Sequence, residues 1–289
     1  MAGKIGIIGG SGFYDIEGIK KVKTVEVETP FGDPSDEFTT GTLGGVDVVF
    51  LARHGKGHKI MPSELNYRAN IYAMKKLGVE KIISVSACGS LKEYLKPLDI
   101  VIPDQFVDRT NKARQMTFFG DGIVAHIQFA EPVCPDLSKA LYDAGRKAGA
   151  TIHLGGTYLN IEGPQFSTKA ESHLYRSWGM DIIGMTNVGE AKVAREAEIC
   201  YAALVCVTDY DCWHMDESRE AVSIDMIIDN LKKNVETSKS ILKNVLPELM
   251  RPRTCACRNA LENAIITKAS SIPADTKRKL KLIIGKYIK

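Results

Sequence analysis

The chain has 289 residues, of which 44% are hydrophobic and 25% charged, and its formal net charge is only +3. This composition is typical of a folded globular protein, and the lack of any run of 18 apolar residues excludes a membrane-spanning helix. The first residues pass directly into an apolar, strand-like segment without the layout of a secretory signal, so we expect a cytoplasmic protein.

Short β-branched runs alternate with longer helical patterns along the chain, which is typical of an α/β domain. Ser63 is placed to cap the first predicted helix and Gly78 to end it. We predict strands over residues 4–8, 46–51, 81–86, 100–102, 158–162, 181–185 and 201–208. We predict helices over residues 63–77, 135–148, 168–178, 190–198 and 223–245.

The first predicted strand runs into a glycine-rich turn, Gly9-Gly10-Ser11-Gly12. Glycine lets backbone N–H groups approach an anion closely, and Ser11 adds a hydroxyl donor. The turn lacks the G-x-G-x-x-G pattern and the following helix of a dinucleotide site, which argues against an NAD-dependent oxidoreductase. A phosphate- or nucleotide-binding loop and a purely structural turn both remain open.

The predicted strand 46–51 ends in a second polar segment, which contains Arg53, His54 and His58. Arginine offers a planar fork that binds phosphate oxygens through two parallel hydrogen bonds, and an adjacent histidine can add a donor. The segment therefore predicts an anion site. The alternative is a basic loop held by a neighbouring carboxylate.

Three further strand ends carry small, polar or aromatic side chains. Cys88, in a run of small residues, is either a nucleophile or, more in keeping with unpaired cysteines generally, a small core residue. Phe166 is either a core residue or a ring that stacks on a flat base. Thr186 places a hydroxyl beside the flexible thioether of Met185.

The predicted strand 201–208 delivers Asp209 and Asp211, two residues apart, so both carboxylates can face the same side. Paired aspartates can bind a metal ion, but the additional oxygen ligands that Mg²⁺ or Ca²⁺ prefers are not apparent here. They can also bind adenine, where a protonated carboxyl donates to N7 and an ionised one accepts from the N6 amino group. Environments that separate the protonation states of two carboxyls are a known device.

Residues 251–289 contain ten Lys or Arg residues against two acidic ones, so the rest of the chain is net negative. A basic tail can contact nucleic acid, but this one has a single aromatic residue, Tyr287, which favours a solvated helix or a subunit-contact arm. We predict a largely helical C-terminal extension and no nucleic-acid partner.

The seven cysteines contain no C-x-x-C pair, so we predict no zinc site. Cys255 and Cys257 form a C-x-C pair, and the chain has only four glutamines. Proteins from hyperthermophiles are rich in disulfides and tend to be poor in glutamine, so a thermophilic origin with structural disulfides is one hypothesis. A thiol-redox module built on the pair is another.

Eight motifs between residues 4 and 245 together resemble the 5′-methylthioadenosine phosphorylases, a branch of the trimer-forming purine nucleoside phosphorylase family. In chain order they are KIGIIGGSG, TPFGDPSD, LARHGKGHKIMPSELNYRANI, SACGSL, PDQFVDRT, IEGPQFST, GMTN and TDYDCWH.

The resemblance implies a nucleoside-phosphorylase domain over residues 1–250, with a central mixed β-sheet flanked by helices on both faces, followed by the extension 251–289. It implies phosphorolysis of 5′-methylthioadenosine to adenine and 5-methylthioribose 1-phosphate, in purine and methionine salvage, by a homotrimer or homohexamer. Inorganic phosphate is then a co-substrate, and no cofactor is implied. The alternatives are a broad-specificity phosphorylase of adenosine and inosine, and a non-catalytic nucleotide sensor.

The resemblance also implies a role for each matching residue. Asp209, Asp211 and His54 are expected to be catalytic, and no metal ligand is implied. Phosphate contacts are expected from Ser11, Arg53, His54, Ser86 and Thr186, with Ala87 lining the site. Contacts with the nucleoside are expected from Phe166, Met185, Asp209, Tyr210 and Asp211, and effects on specificity from Ser167, Ile224, Ile227 and His58.

Two positions depart from the family pattern. Gly189 stands where the family usually has proline, which predicts a more mobile loop after GMTN. Leu98 replaces a usual glycine, which is expected to affect a turn rather than the chemistry.

Overall fold

The computed structural model describes residues 3–13, 18–111, 114–214 and 224–288, without the side chains of residues 224–228. The described strands are β1 (Lys4–Gly9), β2 (Lys20–Val25), β3 (Phe38–Leu43), β4 (Val46–Ala52), β5 (Val79–Ser90), β6 (Ile100–Ile102), β7 (Gln105–Arg109), β8 (Ile152–Leu154), β9 (Thr157–Ile161), β10 (Ile182–Gly184) and β11 (Cys200–Asp209). The described α-helices are α1 (Tyr67–Lys76), α2 (Pro135–Lys147), α3 (Lys169–Ser177), α4 (Asn187–Glu196), α5 (Ile224–Val245), α6 (Ala274–Lys279) and α7 (Lys281–Ile284).

The described strands form one mixed sheet, as expected, and β5 is its centre. β5 pairs in parallel with β1 on one side and with β11 on the other. Where β1 stops at Gly9, β5 continues, and its last residues pair with the antiparallel strand β10. The sheet therefore divides beside the second half of β5. In α/β sheets such a division, at the carboxyl ends of the strands, is where ligands bind.

Helices cover both faces of the sheet, and the alternation of side chains along β11 shows how. Cys200, Ala202, Leu204 and Cys206 join the apolar cluster that α2 and α5 cover, with Leu137 and Ile241. The intervening residues from Tyr201 to Val207 join the opposite cluster, with residues of α1 and α4. A strand buried on both faces reads as a continuous apolar run, which is why the sequence predicts it.

All seven predicted strands are present, with bounds moved by a few residues, whereas β2, β3, β7 and β8 were not predicted. β2 is an edge strand of sequence KKVKTV whose side chains are almost all exposed. Lysines on an edge strand protect it from pairing with another chain, but they remove the apolar signal from the sequence.

The first helix begins later in the chain than predicted. Pro62–Glu64 forms a short 3₁₀ turn, and α1 begins only at Tyr67. Its cap is therefore Asn66 rather than Ser63, because the Asn66 side-chain oxygen accepts a hydrogen bond from Ala69 N–H at 3.1 Å. The Asn66 amide also donates to the Phe31 carbonyl at 2.7 Å, which ties the preceding loop to the helix.

Two departures from the family pattern have a clear structural setting. Leu98 adopts φ 79°, in the left-handed region that favours glycine, so its effect is on a turn, as expected. Gly189 lies inside the first turn of α4 rather than in a mobile loop. A Cβ added at Gly189 would lie 2.8 Å from the ring of Tyr67, so the glycine allows α4 to approach α1 closely.

Residues 251–288 pack on the core through short 3₁₀ turns and the small helices α6 and α7. Leu261, Leu280 and Ile284 are buried in the same apolar cluster as α1 and α4. Glu198, just before β11, holds this segment: it accepts hydrogen bonds from Leu261 N–H and the Tyr287 hydroxyl. Among the described residues, no helix is long and apolar enough to cross a membrane.

Candidate active site

A cavity of about 300 Å³ opens at the carboxyl ends of β1, β4, β5 and β11, where the sheet divides. This volume lies at the lower end of the range for small-molecule sites. Twelve of the predicted site residues line the cavity: Ser11, Arg53, His54, His58, Ser86, Ala87, Phe166, Ser167, Met185, Thr186, Asp209 and Asp211.

Arg53 lies at the floor of one end of the cavity and is only 2% exposed. Its Nε and Nη2 atoms donate to the two carboxylate oxygens of Glu190, at 2.5 and 3.3 Å. Nη2 also donates to Ser84 Oγ at 2.6 Å, and Nη1 to the Val85 carbonyl at 3.2 Å. A guanidinium has five N–H donors. Bonds to other described residues therefore leave one Nη1 N–H and the positive charge for a ligand, not the two-bond fork expected from the sequence.

A buried polar network extends from Glu190 to the hydroxyl of Ser86, one of the predicted phosphate-binding residues. Glu190 accepts from Ser84 Oγ at 2.6 Å and from the Tyr201 hydroxyl at 2.9 Å. Asn187 donates to Tyr201 and Ser84 and accepts from Ser86 Oγ at 2.9 Å. Buried polar groups that satisfy one another hold each member in one orientation. The network therefore fixes the Arg53 and Ser86 side chains beneath the cavity.

His54 is neutral in this setting. Its Nδ1–H donates to the Ile60 carbonyl at 2.8 Å, which leaves Nε2 as an acceptor. Burial lowers the pKa of His54 to about 4, and the nearby charge of Arg53 lowers it as well. The His58 ring stacks on it with centroids 4.4 Å apart, and burial also lowers the His58 pKa. His54 can thus accept a hydrogen bond from a ligand hydroxyl, instead of donating one.

The glycine turn after β1 closes this end of the cavity. Gly10 N–H donates to the Val85 carbonyl at 2.9 Å, and a Cβ at Gly10 would lie 2.5 Å from Arg53 Nη1. Only glycine allows this approach, which places Ser11 beside Arg53. Across the cavity, Thr186 is buried at the first residue before α4 and its side chain makes no capping bond. The hydroxyl-bearing residues Ser11, Ser86 and Thr186 therefore line the same cavity as Arg53.

Asp209 and Asp211 form the other polar end of the cavity. Asp209 accepts from the Thr208 hydroxyl at 2.6 Å and from Asp211 N–H at 2.9 Å. Burial raises the pKa of both carboxyls, and the charge of Asp211 raises that of Asp209 further. Gly89 leaves them room, since a Cβ there would lie 3.1 Å from Asp209 Oδ2. Such a pair holds a proton to higher pH than an exposed aspartate does.

Between the two ends, the wall is apolar and incompletely filled. Phe166 lines the cavity yet is 65% exposed, at its mouth. The hydroxyl of Ser167 is buried with no hydrogen-bond partner among the described residues, so it is available to a ligand. The sulfur of Met185 packs against Gly163, where a Cβ would lie 2.5 Å away.

The remaining predicted residues stand apart from this group. Tyr210 does not line the cavity: its hydroxyl donates to the Glu93 carbonyl at 3.3 Å and its ring stacks on His214. The backbone of Ile224 and Ile227 lies in α5, but their side chains are outside the described residues. Cys88 lines the cavity, and burial raises the pKa of its thiol well above the usual value, which disfavours a nucleophilic thiolate.

Several contributors were not predicted as site residues. Glu190 was placed in a helix with no role, because its partner Arg53 is 137 positions away and the sequence gives no signal for the pair. Leu231 of α5 lines the cavity and supplies part of its apolar wall. Asn187 stands in the GMTN motif, which was the one available signal.

The sequence matches the family described as the phosphorylase superfamily over residues 4–247. It is 61% identical to the S-methyl-5′-thioadenosine phosphorylase of Geobacter sulfurreducens, over 98% of this chain and 99% of that protein. It is 58% identical to the protein of the same name from Koribacter versatilis, over 99% of this chain and 97% of the relative.

Solved structures give the same picture. A methylthioadenosine phosphorylase from an antarctic soil metagenomic library superimposes with a TM-score of 0.91 at 50% identity, covering 98% of this chain and 99% of that one. A mutant of the Schistosoma mansoni adenosine/methylthioadenosine phosphorylase, in complex with methylthioadenosine, superimposes with a TM-score of 0.82 at 40% identity. That match covers 90% of this chain and 96% of the other.

Proposed function

The chain belongs to the phosphorylase superfamily, among its S-methyl-5′-thioadenosine phosphorylases, and we propose that it cleaves S-methyl-5′-thioadenosine with inorganic phosphate. It is a pentosyltransferase: the products are adenine and 5-methylthioribose 1-phosphate. The observation that carries this proposal is a single cavity with an arginine and three hydroxyls at one end and two carboxyls of raised pKa at the other.

The phosphate binds at the Arg53 end. Arg53 gives its charge and one N–H, Ser11, Ser86 and Thr186 give hydroxyls, and Ala87 lines the site. His54 accepts a hydrogen bond from a phosphate hydroxyl through Nε2, since its Nδ1–H is engaged by Ile60. Held in this way, the phosphate lies beneath C1′, where its negative charge stabilises the positive charge that develops on the sugar.

The adenine binds at the Asp209 end. Asp209, whose pKa burial raises, donates a proton to N7 and neutralises the departing base, while Asp211 accepts from the N6 amino group. Phe166 stacks beside the base, and the unpaired Ser167 hydroxyl offers a further polar contact. Tyr210 supports this loop through its contact with Glu93 rather than by touching the base.

The sugar and its 5′-group occupy the middle of the cavity. Met185 lies against the ribose, and His58 lies near the 5′-methylthio group. Leu231 follows Ile227 by four positions and Ile224 by seven, a spacing that puts three apolar residues on one helix face. Because this face of α5 is apolar, it favours binding of a methylthio group over the 5′-hydroxyl of adenosine.

The reaction uses phosphate as co-substrate and needs no cofactor or catalytic metal ion. The working form is a homotrimer, or a hexamer of two trimers, which light scattering on the purified protein measures directly. The enzyme works in the cytoplasm, the usual compartment of proteins whose cysteines are not paired in disulfides.

The test compares phosphate-dependent base release from methylthioadenosine, adenosine and inosine. The proposal predicts the highest kcat/KM for methylthioadenosine, with adenosine lower and inosine lowest, since the 6-oxo group of inosine cannot donate to Asp211. A kcat/KM for inosine equal to or above that for methylthioadenosine overturns the roles given to Asp209 and Asp211.

A further inference from the structure

We propose that Cys134, Cys200, Cys255 and Cys257 bind one structural zinc ion that fastens the C-terminal segment to the core. The four cysteines come from three separate parts of the chain, and their sulfur atoms all lie within 4.8 Å of one another. This site is independent of the catalytic cavity, so its failure would leave the proposed function intact.

The arrangement of the sulfurs fits a tetrahedral ion. With Zn–S bonds of about 2.3 Å, the sulfurs of a tetrahedral site stand about 3.8 Å apart. Cys200 Sγ and Cys255 Sγ are 3.3 Å apart, and no pair of the four exceeds 4.8 Å. All four are free thiols, and the distance between Cys200 Sγ and Cys255 Sγ is well beyond the S–S bond length of about 2.05 Å. Bringing them onto one ion requires shifts of about 1 Å or less, by comparison with that spacing.

All four ligands stand on, or directly before, a helix, a strand or a 3₁₀ turn. Cys134 immediately precedes α2, and Cys200 is the first residue of β11. The Cys134 N–H donates to the Tyr201 carbonyl at 2.8 Å, which holds the start of the helix beside the start of the strand. Cys257 lies in the short 3₁₀ turn that Cys255 precedes. Ligands positioned in this way are preorganised for a metal.

The surroundings of the site also stabilise the negative charge that zinc binding would create. Binding converts four thiols to thiolates, releases four protons and leaves the zinc centre with a net charge of −2. The start of α2, a helix of 13 residues, carries the positive end of its dipole beside Cys134. An all-sulfur, tetrahedral ligand set selects zinc over Mg²⁺ or Ca²⁺.

The four cysteine ligands differ in how far they are buried. Cys134, Cys200 and Cys257 are buried, whereas Cys255 is partly exposed and provides a route by which the ion enters. The lack of a C-x-x-C pair led to the prediction of no zinc site, because ligands 134, 200 and 255–257 are brought together only by the fold.

The site would strengthen a junction that other contacts already make. Arg253, two residues before the C-x-C pair, donates to the Glu198 carbonyl at 2.8 Å and pairs with Glu80 at 3.3 Å. Zinc would add a bond network between this junction and the amino end of β11. Loss of the ion is therefore expected to loosen residues 251–288 first.

The first experiment uses the wild-type protein, purified without chelators under an anaerobic atmosphere. Zinc is measured by elemental analysis, and thiols are counted after unfolding in the presence of EDTA. We expect about one zinc per chain and seven thiols, and we expect protein stripped of metal to bind one added Zn²⁺ with release of protons. Three thiols, which would mean two disulfides, overturn the proposal, and so do seven thiols with no binding of added zinc.

The second experiment compares Cys257→Ser with Cys206→Ser. Cys206 is also buried but lies outside the cluster, with its sulfur 3.3 Å from Ser238 Oγ, and serves as the matched control. Cys257→Ser is expected to lose most of the bound zinc, and limited proteolysis should cleave its residues 251–288 faster. Cys206→Ser should keep one zinc and the wild-type cleavage rate. Equal zinc content in the two variants contradicts the assignment.

Discussion

The two ends of β11 differ sharply in what they hold. At its carboxyl end, Asp209 projects into the cavity and the buried groups are polar, charged and arranged around a space. At its amino end, Cys200 belongs to a compact group of four sulfurs packed against the C-terminal segment. The strand between them is fully buried.

The carboxyl end of β11 therefore carries groups of the candidate active site, whereas its amino end carries groups that anchor the C-terminal segment. Groups at the carboxyl end face the cavity, so under the proposed function changing them should alter turnover or substrate affinity. Groups at the amino end face the C-terminal segment and the proposed zinc site rather than the cavity, so changing them should alter stability. The Arg53–Glu190 pair is the exception, because it lies under the cavity and is also part of the core. Four predictions test this division.

The largest effect is expected at Asp209. Asp209→Ala removes the donor to the departing base, and loss of a general acid lowers kcat by about 10²- to 10⁴-fold. The KM for phosphate should change little, and so should the thermal midpoint. Asp143→Ala, an exposed aspartate on α2, is the control and should behave as wild type. A similar loss of kcat in both variants would show that the effect is not local to the cavity.

Arg53→Ala should affect both stability and function. It leaves the buried Glu190 carboxylate unpaired, which costs about 3–5 kcal/mol of unfolding free energy, and it raises the KM for phosphate. The double variant Arg53→Met with Glu190→Leu should recover part of the stability, since an apolar pair replaces the buried ion pair but the Ser84 and Tyr201 hydroxyls lose their acceptor. Its KM for phosphate should remain high. Recovery of phosphate affinity together with stability would refute a direct role for Arg53.

The raised pKa of Glu196, near the amino end of β11, is expected to make the free energy of unfolding depend on pH. Burial raises the pKa of Glu196 from 4.5 to about 7, although Thr117 and Phe118 N–H donate to it. The folded state thus binds a proton that the unfolded state has lost, so this contribution is complete below pH 4.5 and is lost as the pH rises through 7. At 1.36 kcal/mol per pKa unit the loss is about 3 kcal/mol.

The measurement is denaturant unfolding of the wild type and Glu196→Gln across this pH range. The difference in unfolding free energy between the two should change in favour of the glutamine variant as the pH rises. A difference that does not vary with pH would mean that the pKa of Glu196 is the same in the folded and unfolded states, which contradicts this prediction.

The smallest effect is expected for His54. Because its pKa lies near 4, it stays neutral at physiological pH and should add no titration of its own to phosphate binding. We expect the ratio of phosphate KM values for His54→Ala and wild type to be constant above about pH 5.5. Comparing the two proteins cancels the titration of phosphate itself. A ratio that changes near pH 6.5 would mean that His54 donates a proton when bound.

The sequence predicted the buried centre of the fold better than its edges. β1, β4, β5, β6 and β11 read as apolar runs because both faces are covered, whereas the exposed lysines of β2 conceal an edge strand. The cap of α1 was misplaced because Ser63 and Asn66 are both good caps, and only the position of Pro62–Glu64 in a 3₁₀ turn decides between them.

For the site, the sequence identified the side chains but not their bonding. Arg53 and His54 were expected to direct donors at phosphate. In the structure, however, Glu190, Ser84 and the Val85 carbonyl accept four of the five Arg53 N–H donors, and the Ile60 carbonyl accepts the His54 N–H. These partners depend on tertiary contacts that leave no local pattern. The four-cysteine cluster was missed for the same reason.

The central claim is phosphorolysis in this cavity, and the stoichiometry of its products tests it most directly. Purified protein is incubated with methylthioadenosine, with and without inorganic phosphate, and adenine and the sugar product are quantified together. The account predicts equal amounts of adenine and 5-methylthioribose 1-phosphate, and no adenine without phosphate. Adenine released with free methylthioribose in the absence of phosphate would contradict it.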